Sequence, residues 1–430
     1  MVNGRHHCKN NKYYALSMKL HLPTINQFAS LLVLNITNAI FQLLVIPILI
    51  HNTATEKLGG YFLALSFSVL ASIFVNFGTS QTAVVEIRNA TTETQRQTIL
   101  AETLAIRFFP LLLAIVVSCI LPFIANHGIY YILVLPMIVA EFINPQFYLI
   151  ATYKVNRYTV LNLLLRLALL LIIFLLRTND KIIEISLFII GMMMLLLNVF
   201  YLQSTFLKKG TIQYFPTITR LQQLFKTNIL VTGNGLTVHL QQSLFLFALP
   251  SFVTPLFLSA YGLIDKLISS FRMLVNAYSS AVMPHAAGTH HAGFAQWKKL
   301  KKQQNIILSA FCILAGAIMY LFPEQLLTIL FLGKNNNTAF FNEAAHLVQL
   351  ISPVPLLIAL NVLNVAELIL EKKFLAYFGA GIFILFISLL SIDALKLGLP
   401  ASYAGYYPVL IEASCLLLYV FIVQKFRNEQ

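Results

Sequence analysis

Residues 254–286, TPLFLSAYGLIDKLISSFRMLVNAYSSAVMPHA, are long enough to cross a bilayer as one helix, yet they carry Asp265, Lys266 and Arg272 inside the apolar run. At 100° per residue, Asp265, Ser269, Arg272, Asn276 and Ser279 or Ser280 fall within one narrow arc, while Leu263, Leu267, Leu274 and Val275 cover much of the rest. Arg272 lies roughly 20 Å from either end of such a helix, too deep for its side chain to reach a headgroup. A cation facing lipid at that depth costs about 2.5–3.5 kcal/mol, so this face turns towards protein or water. The stretch reads as the cationic wall of a water-filled transport cavity.

Composition agrees. The 430 residues are 58% hydrophobic and 10% charged, with mean hydropathy +0.79, more apolar surface than a soluble chain of this size can bury. The net charge of +14 would suggest nucleic acid in a soluble protein, but the cations sit in short loops between apolar segments, which excludes that reading. Cys8, Cys119, Cys312 and Cys415 form no ligand spacing, so free thiols, no metal and no cofactor are expected. The apolar run after the basic N-terminus is too long for a signal-peptide core and reads as the first span.

Apolar windows predict twelve helices, at 27–50, 59–83, 104–124, 129–150, 160–176, 182–206, 228–250, 254–286, 303–331, 341–366, 372–391 and 399–425. With the N-terminus inside, inner segments hold 20 Lys and Arg and outer segments five, Lys57, Arg177, Lys181, Lys334 and Lys396. That bias predicts an N-in, C-in topology. The expected fold is an all-α polytopic membrane protein with two six-helix lobes, 1–206 and 228–430, joined by a cytoplasmic linker at 207–227.

The halves echo each other at an offset of 200, where Thr37, Gln42, Tyr61, Leu63, Val75, Asn76 and Ser80 meet Thr237, Gln242, Tyr261, Leu263, Val275, Asn276 and Ser280. Six helices per half put any symmetry axis along the membrane normal, a parallel repeat. Polar stripes recur on four related helices: Asn35, Asn38 and Gln42; Ser72, Asn76 and Ser80; Asn234, His239, Gln241 and Gln242; and the stretch around Arg272. A single Asn is more simply interhelical packing glue, whereas four related stripes favour a shared cavity.

Arg107 and Arg166 lie near helix ends, where snorkelling is the favoured reading. Glu141 and Glu412 are too deep for that and are either protonated and hydrogen-bonded or part of an ion site. Glu367 reads as a helix-end residue. Asp265 and Lys266, about 100° apart, need not pair. His285, His290 and His291 read as a solvated interfacial cluster, and WKKLKKQQ (297–304) as a topology signal in preference to a lipid site. Pro47, Pro136, Pro145, Pro353 and Pro355 interrupt or end helices. Phosphate-loop and hydrolase motifs are absent, so ATP-driven transport by this chain alone is unsupported.

Four stretches, NQFASLLVLNITNAIFQLLVIPIL (26–49), GGYFLALSFSVLASIFVNFGTS (59–80), AYGLIDKLISSFRMLVNAYSSAVMP (260–284) and PVPLLIALNVLNVAELILEKK (353–373), resemble the Wzx-like polysaccharide flippases of the multidrug/oligosaccharidyl-lipid/polysaccharide exporter (MOP) superfamily. Phe147 and Tyr148 follow Pro145 where many members carry Trp. The resemblance implies a V of two lobes, a cavity lined by helices 1, 2, 7 and 8, and ion-driven alternating access in a bacterial inner membrane. It also implies a lipid-linked oligosaccharide substrate, an H+ or Na+ gradient, membrane lipid as surroundings and polysaccharide polymerase machinery as partner. Candidate substrate-binding residues are Lys266, Arg272, Arg166, Asn276, Gln42, Gln242 and Asn76, and candidate ion-coupling residues are Asp265, Glu141 and Glu412. The first alternative is a drug or metabolite exporter of the same superfamily. A membrane polymerase or ligase is a second, disfavoured by outer connections of only about ten residues, and a membrane scaffold is a third.

Overall fold

The computed structural model describes residues 22–51, 53–125, 128–206, 216–292, 294–330, 338–371 and 373–428. The expectations for Cys8, the basic N-terminus and Lys334 fall outside these residues, as do the start of the linker and the side chains of His285, His290 and His291.

The described chain is helical throughout. The first half contains α1 (Leu22–His51), α2 (Thr55–Asn76), α3 (Thr79–Asn89), α4 (Glu93–Ile120), α5 (Ile129–Leu133), α6 (Leu135–Phe142), α7 (Gln146–Ala151), α8 (Val155–Leu175) and α9 (Ile182–Phe206). The second contains α10 (Ile218–Ala248), α11 (Pro255–Ala292), α12 (Phe294–Leu321), α13 (Pro323–Leu330), α14 (Thr338–Leu350), α15 (Val354–Leu370), α16 (Phe374–Lys396) and α17 (Tyr407–Asn428).

Several expected spans are interrupted, each for a local reason. The 59–83 segment turns at Phe77 and Gly78, both at positive φ (48° and 69°), and continues as α3. Gly78 carries the sharper demand, because a Cβ there would sit 3.0 Å from Val231 as well. The 129–150 segment divides into three short helices where Pro136 and Pro145 remove amide donors. The α14–α15 pair bends by 42° at the break before Pro353 and Val354.

Among the described residues nine helices are long and apolar enough to cross a membrane, or ten if the bent pair is one span. The helices α10 and α11, with 31 and 38 residues, have ample length. Their polar faces keep them out of that set, and adding them reaches the twelve predicted. All backbone groups inside a helix are satisfied internally, the condition for crossing hydrocarbon. The outer faces of α4, α8, α12 and α16 expose Phe109, Leu113, Leu167, Leu171, Phe311, Leu314 and Phe386, side chains suited to lipid contact.

The packing partners in the first half recur in the second. α1 packs on α8 as α10 packs on α16, α2 on α6 as α11 on α15, and α6 on α9 as α15 on α17. The halves meet where α1 and α2 cross α11 and α10. Along the α2–α11 seam, residues 200 apart touch each other: Lys266 Nζ donates to Ser66 Oγ at 3.0 Å, and a Cβ on Gly262 would lie 2.4 Å from the ring of Phe62. Equivalent residues of a two-fold repeat meet only at its axis, so this seam lies on the axis of the parallel repeat.

Candidate functional site

Two polar cavities flank the seam. The first, about 430 Å³, is lined by Asn38, Gln42, Ser72, Asn76, Glu141 and Arg166 among others. The second, about 320 Å³, is lined by His239, Gln242, Asp265, Lys266, Arg272, Asn276 and Glu412 among others. Both include Gln42, Val69 and Met273, so they adjoin at the middle of the molecule. All ten candidate residues line one cavity or the other. The stripes converge because α1, α2, α10 and α11 are the helices that face the opposite half.

The charges within the second cavity are arranged otherwise than the sequence suggests. Arg272 reaches across to α17 and donates to Glu412 Oε1 from Nε at 3.1 Å and from Nη2 at 2.5 Å. Lys266 is buried and donates to Asp265 Oδ2 at 3.1 Å, a pairing that the sequence left open. Two cations thus meet two carboxylates, and the wall is charge-paired, not cationic. The physical reason is the low dielectric, in which an uncompensated charge is costly enough that each cation is held beside an acid. The partner of Arg272 lies 140 residues away, beyond any spacing argument.

In the first cavity Glu141 accepts from Asn76 Nδ2 at 2.6 Å and from Asn144 Nδ2 at 3.0 Å. Arg166 donates from Nε to Asn162 Oδ1 at 2.8 Å and stacks over Phe41 at 4.8 Å. It lines the cavity and does not snorkel, and among the described residues it forms no ion pair. Four amide oxygens, those of Asn38, Gln42, Gln241 and Asn361, are closed off from solvent without a hydrogen-bond partner. Their residues each line one of the cavities, so rotation of the side chain would present the oxygen as an acceptor to a hydroxyl, a cation or water.

Other expectations are corrected here. Arg107 is fully buried. Its Nε donates to Thr79 Oγ1 at 2.7 Å and its Nη1 to the carbonyls of Glu141, Phe142 and Asn144 at 3.1, 3.3 and 3.4 Å. It therefore caps the break after α6 and does not reach the interface. Glu367 does lie in the last turn of α15, but it is buried and paired with Lys301 at 2.6 Å, while Lys301 also donates to Asn364 at 2.7 Å. Ser66, Asn361 and Tyr419 line the second cavity without having been candidates. Only Ser66 had a legible signal, its offset of 200 from Lys266.

No family model matches the chain, and no curated protein sequence does. Solved structures match its fold over nearly the whole length. An inward-facing multidrug-resistance MATE family transporter of the MOP superfamily aligns over 93% of this chain and 98% of its own, with TM-score 0.66 and 9% identity. An outward-facing transporter of the same description aligns over 94% and 96%, with TM-score 0.59 and 10% identity. A MOP superfamily transporter from Pyrococcus furiosus, described by a reversed polarity of its binding pocket, aligns over 94% and 95%, with TM-score 0.59 and 12% identity. The chain thus has the fold of MOP-superfamily carriers, a polytopic helical membrane architecture.

Proposed function

We propose that the protein is a secondary carrier that moves an undecaprenyl-pyrophosphate-linked oligosaccharide across the bacterial inner membrane by alternating access. The two halves, 1–206 and 228–430, would rock about the seam of α1 and α2 with α11 and α10. The observation that carries this reading is the Arg272–Glu412 pair facing the second cavity. Glu412 occupies the guanidinium as an internal anion, and a pyrophosphate oxygen is its chemical equivalent. A proton or cation taken up by Glu412 frees Arg272 for the substrate, and release of that ion restores the pair, which links the gradient to transport. Asp265 acts on Lys266 in the same way, and Glu141 offers a third carboxylate in the first cavity. The unpartnered amide oxygens accept from sugar hydroxyls, while the hydrocarbon tail stays in lipid.

A second reading, a drug or metabolite exporter, is favoured by one specific feature: with both cations of the second cavity neutralised, a cationic substrate is not repelled. Purified protein in proteoliposomes separates the two. With a short-chain isoprenoid pyrophosphate disaccharide on one side and an imposed proton or sodium gradient, the expected result is gradient-dependent appearance of the sugar at the other face, lost in Glu412→Gln. Accumulation of a cationic dye with no movement of the lipid-linked sugar would reverse the assignment.

A further inference from the structure

The lysine-rich start of α12, read from sequence as a topology signal, borders a second kind of site. Where α12 passes α15, a surface groove of about 430 Å³ is lined by Lys298, Lys301, Lys302, Asn305, Ser309 and Leu360. Its polar residues follow one helical stripe, and Lys302 to Ser309 spans about 10 Å along the axis. Lys301 is already engaged by Glu367 and Asn364, whereas among the described residues Lys298 and Lys302 form no ion pair. At the floor, Asn305 Oδ1 and Ser309 Oγ are closed off from solvent with no hydrogen-bond partner. Beside them α12 turns apolar side chains outward, with Ile306 and Ile313 59% and 55% exposed.

Two free cations at the water side, then unpartnered amide and hydroxyl groups, then an open apolar face follow the order of a phospholipid from headgroup to chains. We propose that this groove binds one anionic phospholipid of the leaflet at the lysine-rich end of α12. Its phosphate lies between Lys298 and Lys302, where two ammonium groups attract it electrostatically. Its ester carbonyls accept from the Ser309 hydroxyl and, after rotation of the amide, from Asn305. Its chains lie along Ile306 and Ile313, which follow the groove stripe on the adjoining side of the helix. The Lys301–Glu367 pair beside the groove holds α12 against α15 and keeps the site in shape.

The test uses the full chain purified in detergent, with lipid retention read by native mass spectrometry, so it is independent of any transport activity. Phosphatidylglycerol should be retained at one copy in preference to phosphatidylcholine. K298Q/K302Q should weaken that retention about 30-fold, on the usual contribution of a basic residue near an anionic lipid, and S309A should weaken it by a smaller factor. Because the lysines also bear on topology, the charge-relocated variant Q296K/Q303K/K298Q/K302Q keeps their number and moves them to the far side of α12; it should bind as weakly as K298Q/K302Q. Wild-type retention by the relocated variant would reduce the effect to general surface charge and overturn the proposal. Displacement of phosphatidylglycerol by millimolar inorganic phosphate, or by an equimolar isoprenoid pyrophosphate, would overturn it too, by assigning the groove to a soluble anion or to the proposed substrate.

Discussion

Arg166 and Arg272 are both deep cations, but they differ in what their removal leaves behind. Arg272→Gln strands Glu412, whose side chain is 9% exposed, and breaking such a pair from one side costs about 3–5 kcal/mol. Abundance and thermal stability of Arg272→Gln in membranes should therefore fall, and Arg272→Gln with Glu412→Gln should recover both. Under the proposed function that double variant stays inactive, and recovered transport in it would remove Arg272 from recognition. Arg166→Gln strands no carboxylate and should keep normal abundance, measured in the same immunoblot series. Lys301→Gln, within the run read from sequence as a topology signal, removes the cation paired with the buried Glu367 and carries the same kind of penalty. A clear loss of melting temperature in detergent is expected, and a wild-type melt would show that Glu367 is carried without its partner.

At the level of elements, the broken span α5–α6–α7 depends on a residue from another helix. Proline removes donors at 136 and 145, and Arg107 on α4 collects the carbonyls freed after α6. These carbonyls belong to Glu141 and its neighbours, so Arg107 fixes the backbone that places this carboxylate in the first cavity. Arg107→Met should destabilise the protein more than Arg107→Lys, because only the charged variant keeps donors for the break. Equal melting temperatures for the two would argue against the capping role. The α2–α11 seam makes a second demand. With a Cβ on Gly262 only 2.4 Å from the Phe62 ring, Gly262→Val should spread the seam and lower stability by a few kcal/mol. Phe62→Ala in the same chain should restore part of it, and a double variant no better than Gly262→Val would show that the contact is not the cause.

For the whole molecule, the halves are held at both ends of the seam. At one end Phe62 packs on Gly262; at the other Thr82 Oγ1 donates to Asn228 Oδ1 at 2.6 Å, Phe77 packs on Phe225 with centroids 5.0 Å apart, and Arg220 pairs with Glu102 and Glu86 at 3.0 and 3.4 Å. The proposed alternating access requires these ends to part in turn. In a background without native cysteines, T82C/N228C joined by an oxidant should lose transport and regain it on reduction. Full transport while cross-linked would exclude opening at this end.

The sequence by itself determined the spans, the polar faces of four helices and the offset of 200 that relates the halves. Each is a local or periodic property: hydrocarbon admits only long apolar helices, a 3.6-residue period gathers Asp265, Arg272 and Asn276 onto one face, and a repeat is visible wherever equal environments select equal residues. For the same reason Gln42, Asn76, Gln242, Asp265, Arg272 and Asn276 could be named before their cavities were seen, whereas Glu141 and Glu412 were named from depth alone and Arg166 against a favoured snorkelling reading. Only the tertiary structure decided the partners. Glu412 reaches Arg272 from α17, Glu367 reaches Lys301 from α15 and Arg107 reaches the α6 break from α4, and none of these separations carries a periodic signature. Depth estimated along a single helix cannot tell a cation that snorkels from one that is capped or paired, because the neighbouring helices set its surroundings. In a low dielectric those surroundings fix what the charge can do.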